Sequence, residues 1–327
     1  MNIRTLQRRA LLGLAALAGL ASLSTAAQAQ SYPNRPVKIV VPFAAGGPAD
    51  NYARFVAQRL GEELKQSFVV DNRPGAGSII GTDLVAKSPA DGYTLLMMSN
   101  AHTVNESLIP NKPFGLMKDF VGIAPVNYSI LLLVVHPSVP VKNVGELIAL
   151  AKSKPGKLNY ASSGNGTPYH MAGELFKHMA GINMTHIPYK GSSGARTDIV
   201  GGQVDVMFDA ETTMAEFARN GQVRMLGATG VTRSSNLPDV PTVAETVPKY
   251  EATIWLGFMA PKGTPPDIVN KLNAEMRKIV SNPDVKATWA KQGAVPMSMS
   301  VAEFEQYLNA DIAKWANIVK VSGAKAD

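Results

Sequence analysis

Two stretches carry residues whose types and order could do chemistry. In VVPFAAGGPADNYAR, residues 40–54, an apolar run passes through Phe43, Ala44, Ala45, Gly46 and Gly47 into a helical pattern opening with Pro48. Paired glycines let the backbone come close to a ligand, and proline at a first helical position sacrifices no hydrogen bond. The first amides of such a helix lack intrahelical acceptors and sit at the positive end of its dipole. That is an anion site made of backbone, unless the stretch is only a tight strand-to-helix connection. YASSGNGTPYHMAGELF, residues 160–176, repeats the design. Ser162, Ser163, Gly164, Asn165 and Gly166 lead to Thr167 as N-cap and Pro168 at the first helical position. If the two helix starts face each other, they suit a small ligand with one or two carboxylates, whereas a phosphate needs only one such end.

Other polar residues have two readings each. Asp50 lies in a first helical turn, where it either stabilises the dipole or accepts a hydrogen bond from ligand or from the facing lobe. Asp209 ends the strand VDVMFD, at the edge where open α/β sheets place ligands. His102, His136, His170, His178 and His186 form no H-E-x-x-H. His170 and Glu174 share a helix face, but two ligands do not make a zinc site. A hydrolase would have to use Ser162 or Ser163 with His170, and the G-x-S-x-G elbow is absent. His170 reads instead as a polar residue at a cleft rim or on a helix surface, and His178 and His186 read as structural. PGAGSIIG, residues 74–81, is a loose dinucleotide fingerprint in the wrong strand-helix unit, and it reads as a packing turn.

The elements that must position these residues alternate strand and helix, the pattern of an α/β fold. Strands are expected at 37–43, 67–71 and 92–98, with helices at 50–63 and 82–87 between them; the third strand ends at Ser99-Asn100-Ala101-His102. A similar order recurs: helix 144–154, strand 158–162, helix 167–179, strand 184–189, helix 195–200 and strand 204–208. TDLV at 82–85 matches TDIV at 197–200, each between a glycine turn and the next strand. Two similar α/β lobes follow from this. The apolar stretches 123–135 and 253–260 would carry the chain out to the second lobe and back. The tail from Thr264 has helical spacing and would pack on the first lobe.

Bulk properties limit the partners. The chain has 327 residues and a formal charge of +7. Arg4, Arg8 and Arg9 precede an apolar run and Ala27-Gln28-Ala29, the layout of a secretory signal peptide cleaved near Ala29. The paired arginines also loosely fit a twin-arginine signal, with the general secretory route favoured. Without those three arginines the formal charge falls to +4, and no long basic run supports nucleic-acid binding. Cysteine is absent, which excludes disulfides, thiolate nucleophiles and thiolate metal sites. An exported chain of this kind suits a bacterial periplasm.

Several stretches in order, among them PFAAGGPAD, DNRPGAGSIIGTDLVAKSPADGYTLL, SNAHTVN, HIPYKGSSGARTDIVGGQVDVMFD and WLGFMAPKGTP, closely resemble the Bug receptors over essentially the whole mature chain. These are periplasmic solute-binding proteins of tripartite tricarboxylate transporters. The resemblance implies a type II periplasmic-binding-protein fold, with two α/β lobes joined by two crossing strands and a ligand cleft between them. It implies lobes of 30–128 with 251–327, and of 129–250. It also implies a grip on a ligand carboxylate by Phe43, Ala44, Ala45, Gly46, Gly47 and Asp50 on one side, and Ser162, Ser163, Gly164, Asn165, Gly166 and Thr167 on the other; His170, read at the cleft rim, is a further candidate ligand contact. Asn100, Ala101 and Asp209 would lie nearby. Family ligands include citrate-like acids, acidic amino acids, nicotinate and aromatic carboxylates such as terephthalate. The implied partners are that ligand and the membrane components of the transporter; no cofactor, no catalysis and a monomer are expected, with a sensing partner of a membrane kinase as a further possibility. Pro48, Ala49, Asn51 and Ser78 depart from the commoner family pattern and bear on ligand choice. No Arg or Lys stands inside either loop, so recognition would rest on dipoles and neutral donors.

Overall fold

The computed structural model describes residues 32–326, so the signal-peptide reading lies outside the described residues. The chain divides into two units, residues 1–34 and residues 35–327. The second unit holds all the strands and helices among the described residues.

Strand β1 (Val37–Val41) is almost wholly apolar, and Val37, Ile39, Val40 and Val41 are buried. Such a run suits a parallel strand covered on both faces. It pairs in parallel with β2 (Phe68–Asn72) on one side and β3 (Thr94–Ser99) on the other. The 16-residue β4 (Phe120–Val135) is long enough, at about 50 Å, to serve two sheets. Its first part, Phe120 to Ile130, pairs antiparallel with β9 (Thr253–Pro261), which also pairs with β3. Its last part, Leu131 to Val135, pairs antiparallel with β7 (Val206–Ala210) and β8 (Arg224–Ala228). There β5 (Asn159–Ser162) lies parallel to β7 and to β6 (Thr185–Pro188). The short β10 (Ala294–Pro296) adds to β4 at Asn127–Ser129.

Each sheet section has its own core. Val40, Leu96, Met98, Phe120, Trp255 and Phe304 pack in one, and Leu132, Val134, Ala161, Ile199, Met207 and Met214 pack in the other. The result is two α/β lobes linked through β4 and the return into β9, as expected. The Val301–Ser322 helix seals the first lobe through a buried Asp311, which accepts from Thr103 Oγ1 at 2.6 Å and Trp255 Nε1 at 3.1 Å.

Sequence reading misses three helices, Asn100–Leu108, the short Leu116–Asp119 and Glu211–Arg219. The first buries Asn100, His102, Thr103 and Asn105 beside Ala101, Val104 and Leu108, so polar residues dilute a short apolar period.

Candidate ligand-binding site

After β1 the chain turns through Phe43–Gly47 into the Pro48–Leu64 helix, with Gly46 in the left-handed region at φ +80. Gly47 is the N-cap and supplies no side-chain cap, so the first amides keep their donors for something else. Asp50 closes the loop from beneath: Oδ2 accepts from the Gly46 amide at 3.0 Å and Oδ1 from Arg54 Nε at 3.0 Å. Burial pushes the Asp50 carboxyl up, but Arg54, the Gly46 amide and Asn72 together hold it below the ordinary value of 3.8. Asn72 Nδ2 also donates to the Phe43 carbonyl at 3.1 Å. These bonds hold the shape of the first loop.

The second loop follows β5. Gly164 and Gly166 both take positive φ, at +124 and +71. Thr167 caps the Pro168–Ala180 helix, its Oγ1 accepting from the His170 amide at 3.4 Å and donating to the Gly164 carbonyl at 2.7 Å. His170 is not at a rim or on a surface. It is 2% exposed, its Nδ1 accepts the Gly166 amide at 3.1 Å, and its ring stacks on His186 with centroids 4.1 Å apart. The loop needs an acceptor for that amide, and the ring four residues on supplies it. Ser162 is also buried, with Oγ bound by the Gly164 amide at 3.1 Å and 2.7 Å from His186 Nε2.

Between the lobes lies a narrow, partly closed cavity. The first loop and its helix contribute Phe43, Ala44, Gly47, Pro48 and Ala49; the second contributes Ser163, Pro168 and Tyr169. Ser99 at the end of β3, Ser192 at the start of the Ser192–Val200 helix, and Ile254 and Leu256 of β9 complete it. Four helix starts therefore meet at one cavity, and none of its lining side chains is charged. Tyr169 is buried, and burial drives its phenol pKa well up, with Asp209 nearby adding to the rise.

Of the candidate ligand-binding residues read from the sequence, Phe43, Ala44, Gly47 and Ser163 line this cavity, together with Pro48, Ala49 and Pro168 from the same two loop-to-helix stretches. The others stand behind or beside it. Asn100 fixes β9, donating to the Thr253 carbonyl at 2.9 Å and accepting from the Trp255 amide at 3.3 Å. The Ala101 amide is taken by Ser99 Oγ at 3.2 Å. Ala45 and Gly46 are exposed, while Gly164, Asn165, Gly166 and Thr167 form the back of the second loop. Asp209 is fully buried under Arg196, whose Nη1 donates to its Oδ2 at 2.9 Å. Burial pushes the Asp209 carboxyl up, opposed by that guanidinium.

Sequence reading missed Ser99, Tyr169, Ser192, Ile254, Leu256 and Arg196. Ser192 had a signal, the glycine turn GSSG; Arg196 had none. Its Nη2 donates to the Gly46 carbonyl of the other lobe at 2.6 Å, and the Ala44 amide donates to the Lys190 carbonyl at 3.1 Å. Both lobes are thus in contact across the cavity mouth. Among the described residues, no group of three or more His, Cys, Asp or Glu could hold a metal ion, and no helix is long and apolar enough to cross a membrane.

Comparison with known proteins agrees with this architecture. The model of the tripartite tricarboxylate transporter family receptor, TctC, matches residues 52–324. The protein BugT of Bordetella pertussis is 37% identical over 93% of this chain and 94% of its own. The R. palustris protein Rpa4515, solved with adipate, superposes with a TM-score of 0.87 at 35% identity, covering 90% of this chain and 99% of that one. MatC from Rhodopseudomonas palustris, solved with bound malate, gives a TM-score of 0.84 at 30% identity, covering 88% of this chain and all of that one. With two α/β lobes around a cleft, a family model over most of its length and relatives aligned nearly end to end, the chain belongs to the tripartite tricarboxylate transporter family of periplasmic solute-binding receptors and has their type II periplasmic-binding-protein fold.

Proposed function

We propose that the cavity holds a small organic carboxylate, which the protein carries through the periplasm to the membrane components of a tripartite tricarboxylate transporter. The observation that carries this reading is the meeting of the helix starts at Pro48, Asn100, Pro168 and Ser192 around one cavity. Each helix start contributes about 0.3–1 kcal/mol to holding a negative charge, and more where water is excluded. The hydroxyls of Ser99, Ser163, Ser192 and Tyr169 add neutral donors, and Phe43, Ile254 and Leu256 offer an apolar wall to the ligand body. Adipate and malate, seen in relatives, are the first candidates, followed by aromatic carboxylates.

In this reading residues 30–128 with 251–327 form one lobe and 129–250 the other, and the mature monomer begins after cleavage near Ala29. Binding involves no cofactor and no chemical conversion. A thermal-shift panel of aliphatic and aromatic mono-, di- and tricarboxylates on the mature protein tests it, with titration calorimetry on each hit. One or a few acids should raise the melting temperature by several degrees. A panel in which no carboxylate stabilises the protein rejects the reading.

A further inference from the structure

The geometry points to Arg196 as the residue that orients the Gly46–Gly47 peptide toward the ligand, a role that rests on the cavity being the ligand site. Arg196 is 7% exposed and does not line the cavity. Its guanidinium is held within its own lobe by two bonds from Nη1, to Asp209 Oδ2 at 2.9 Å and to Ser192 Oγ at 3.1 Å. From that anchored position Nη2 reaches the Gly46 carbonyl, 150 residues away in sequence and on the other lobe, at 2.6 Å.

The consequence follows from peptide geometry. In a trans peptide the carbonyl and the next amide N–H point in opposite directions. With the Gly46 carbonyl turned onto Arg196, the Gly47 N–H is turned the other way, and Gly47 lines the cavity. A cation on the carbonyl also polarises the peptide, which strengthens its N–H as a donor. Glycine at both positions leaves this peptide free to rotate, so something outside the loop must fix it. Asp50 fixes the Gly46 amide from within the lobe, and Arg196 fixes the Gly46 carbonyl only when the lobes meet. The same guanidinium bonds Ser192 Oγ, so two donors of the cavity depend on one side chain. Arg196 is therefore a positioning residue that couples closure to the assembly of the grip.

Arg196→Lys is the decisive variant, because an ammonium can keep Asp209 paired but cannot span Ser192, Asp209 and Gly46 together. Arg196→Met with Asp209→Asn removes the pair without leaving a buried charge, in case the single variant misfolds. Three readouts are taken on the mature protein: melting temperature without ligand, adipate and malate affinity by calorimetry, and the distance between spin labels on Gln58→Cys and Thr197→Cys. The labels are specific because the sequence has no cysteine. The lysine variant should melt within about 2 °C of the parent, bind the acid at least about tenfold more weakly and show longer label distances. The double variant should share the last two effects. Parent-like affinity and label distances in both variants overturn the assignment, and so does a loss confined to the unliganded melting temperature. If the parent binds neither acid, the proposed function loses its first candidates, while the label distance still decides: lengthening in the lysine variant upholds Arg196, and no change rejects it.

Discussion

Ser162 Oγ and His186 Nε2 lie 2.7 Å apart, the spacing of a nucleophile and its base, yet the pair faces inward. Ser162 has no exposed surface, and its hydroxyl already receives the Gly164 amide at 3.1 Å. A nucleophile must reach a substrate carbonyl, and this one is spent on holding a glycine loop in shape. The purified protein should therefore hydrolyse p-nitrophenyl acetate no faster than buffer. Ser162→Ala should instead lower stability by about 1–3 kcal/mol, the cost of orphaning buried partners. Ester turnover that disappears in Ser162→Ala would restore the hydrolase reading.

Gly191 separates lobe closure from lobe stability. Its backbone is extended, with φ 162 and ψ 163, so alanine fits within its own lobe. A Cβ there would sit 2.7 Å from Ala44 Cβ and 2.9 Å from the Ala44 nitrogen, both on the opposite lobe. Gly191→Ala should leave the unliganded melting temperature unchanged within about 1 °C, because nothing inside either core moves. It should weaken ligand binding at least about tenfold, since backbone cannot yield as a side chain can. Gly173→Ala is the contrast: its Cβ would meet Tyr160 Cε2 of the same lobe at 2.2 Å, which should lower the melting temperature itself.

The helix starts at Pro48 and Pro168 could be read from sequence because glycine pairs, an N-cap threonine and a first-position proline act over a few residues. The two lobes were legible for the same reason, since strand and helix periods recur in order and TDLV answers TDIV. What escaped was set by tertiary contact. Ile254 and Leu256 look like any apolar strand residues until β9 is placed beside β3. His170 read as exposed because its helix position is polar, yet the Gly166 amide and the His186 ring draw it inward. Arg196 is one arginine on a nine-residue helix, and only the facing lobe gives it a partner at Gly46.

Asp50 holds the first loop through its charge. Its carboxyl stays below 3.8 despite burial because Arg54, the Gly46 amide and Asn72 all favour the ionised form. A depressed carboxylate contributes stability that is full above its unfolded value and fades as the pH falls through the lower folded value. Asp50→Asn should cost about 1 kcal/mol at pH 7, comparable to losing a helix-start carboxylate and its charged bond. The gap to the parent should narrow toward pH 3, below the ordinary value of 3.8, because the unfolded chain takes up the proton first and the charge contributes less to the folded state. Urea unfolding at both pH values measures this, and a gap of equal size at pH 3 would assign the effect to shape rather than charge.

His102 gives the fold an acid-sensitive point with the opposite chemistry. Burial drives its pKa from 6.5 down to about 4, with the Ser99 backbone contact opposing. The ring is walled in: Nδ1 accepts the Ser99 amide at 3.2 Å, Nε2 lies 3.0 Å from Thr82 Oγ1, and Phe43 stands edge-on at 6.2 Å. Below pH 6.5 the unfolded chain takes a proton on this histidine that the folded chain refuses until about pH 4. Stability is therefore full above pH 6.5 and falls across that window, by about 1.4 kcal/mol per pH unit and roughly 3 kcal/mol in total. His102→Gln keeps a neutral side chain at the capping position but cannot take up the proton. It should cost stability at pH 7.5, through a lost cap and a poorer fit, yet decline less steeply between pH 6.5 and pH 4.5. Denaturant unfolding of both proteins across that range supplies the two slopes, and parallel curves would place the acid sensitivity on another group. Because Phe43 packs on this ring and also lines the cavity, ligand affinity in the parent should fall over the same window and hold steadier in the glutamine variant.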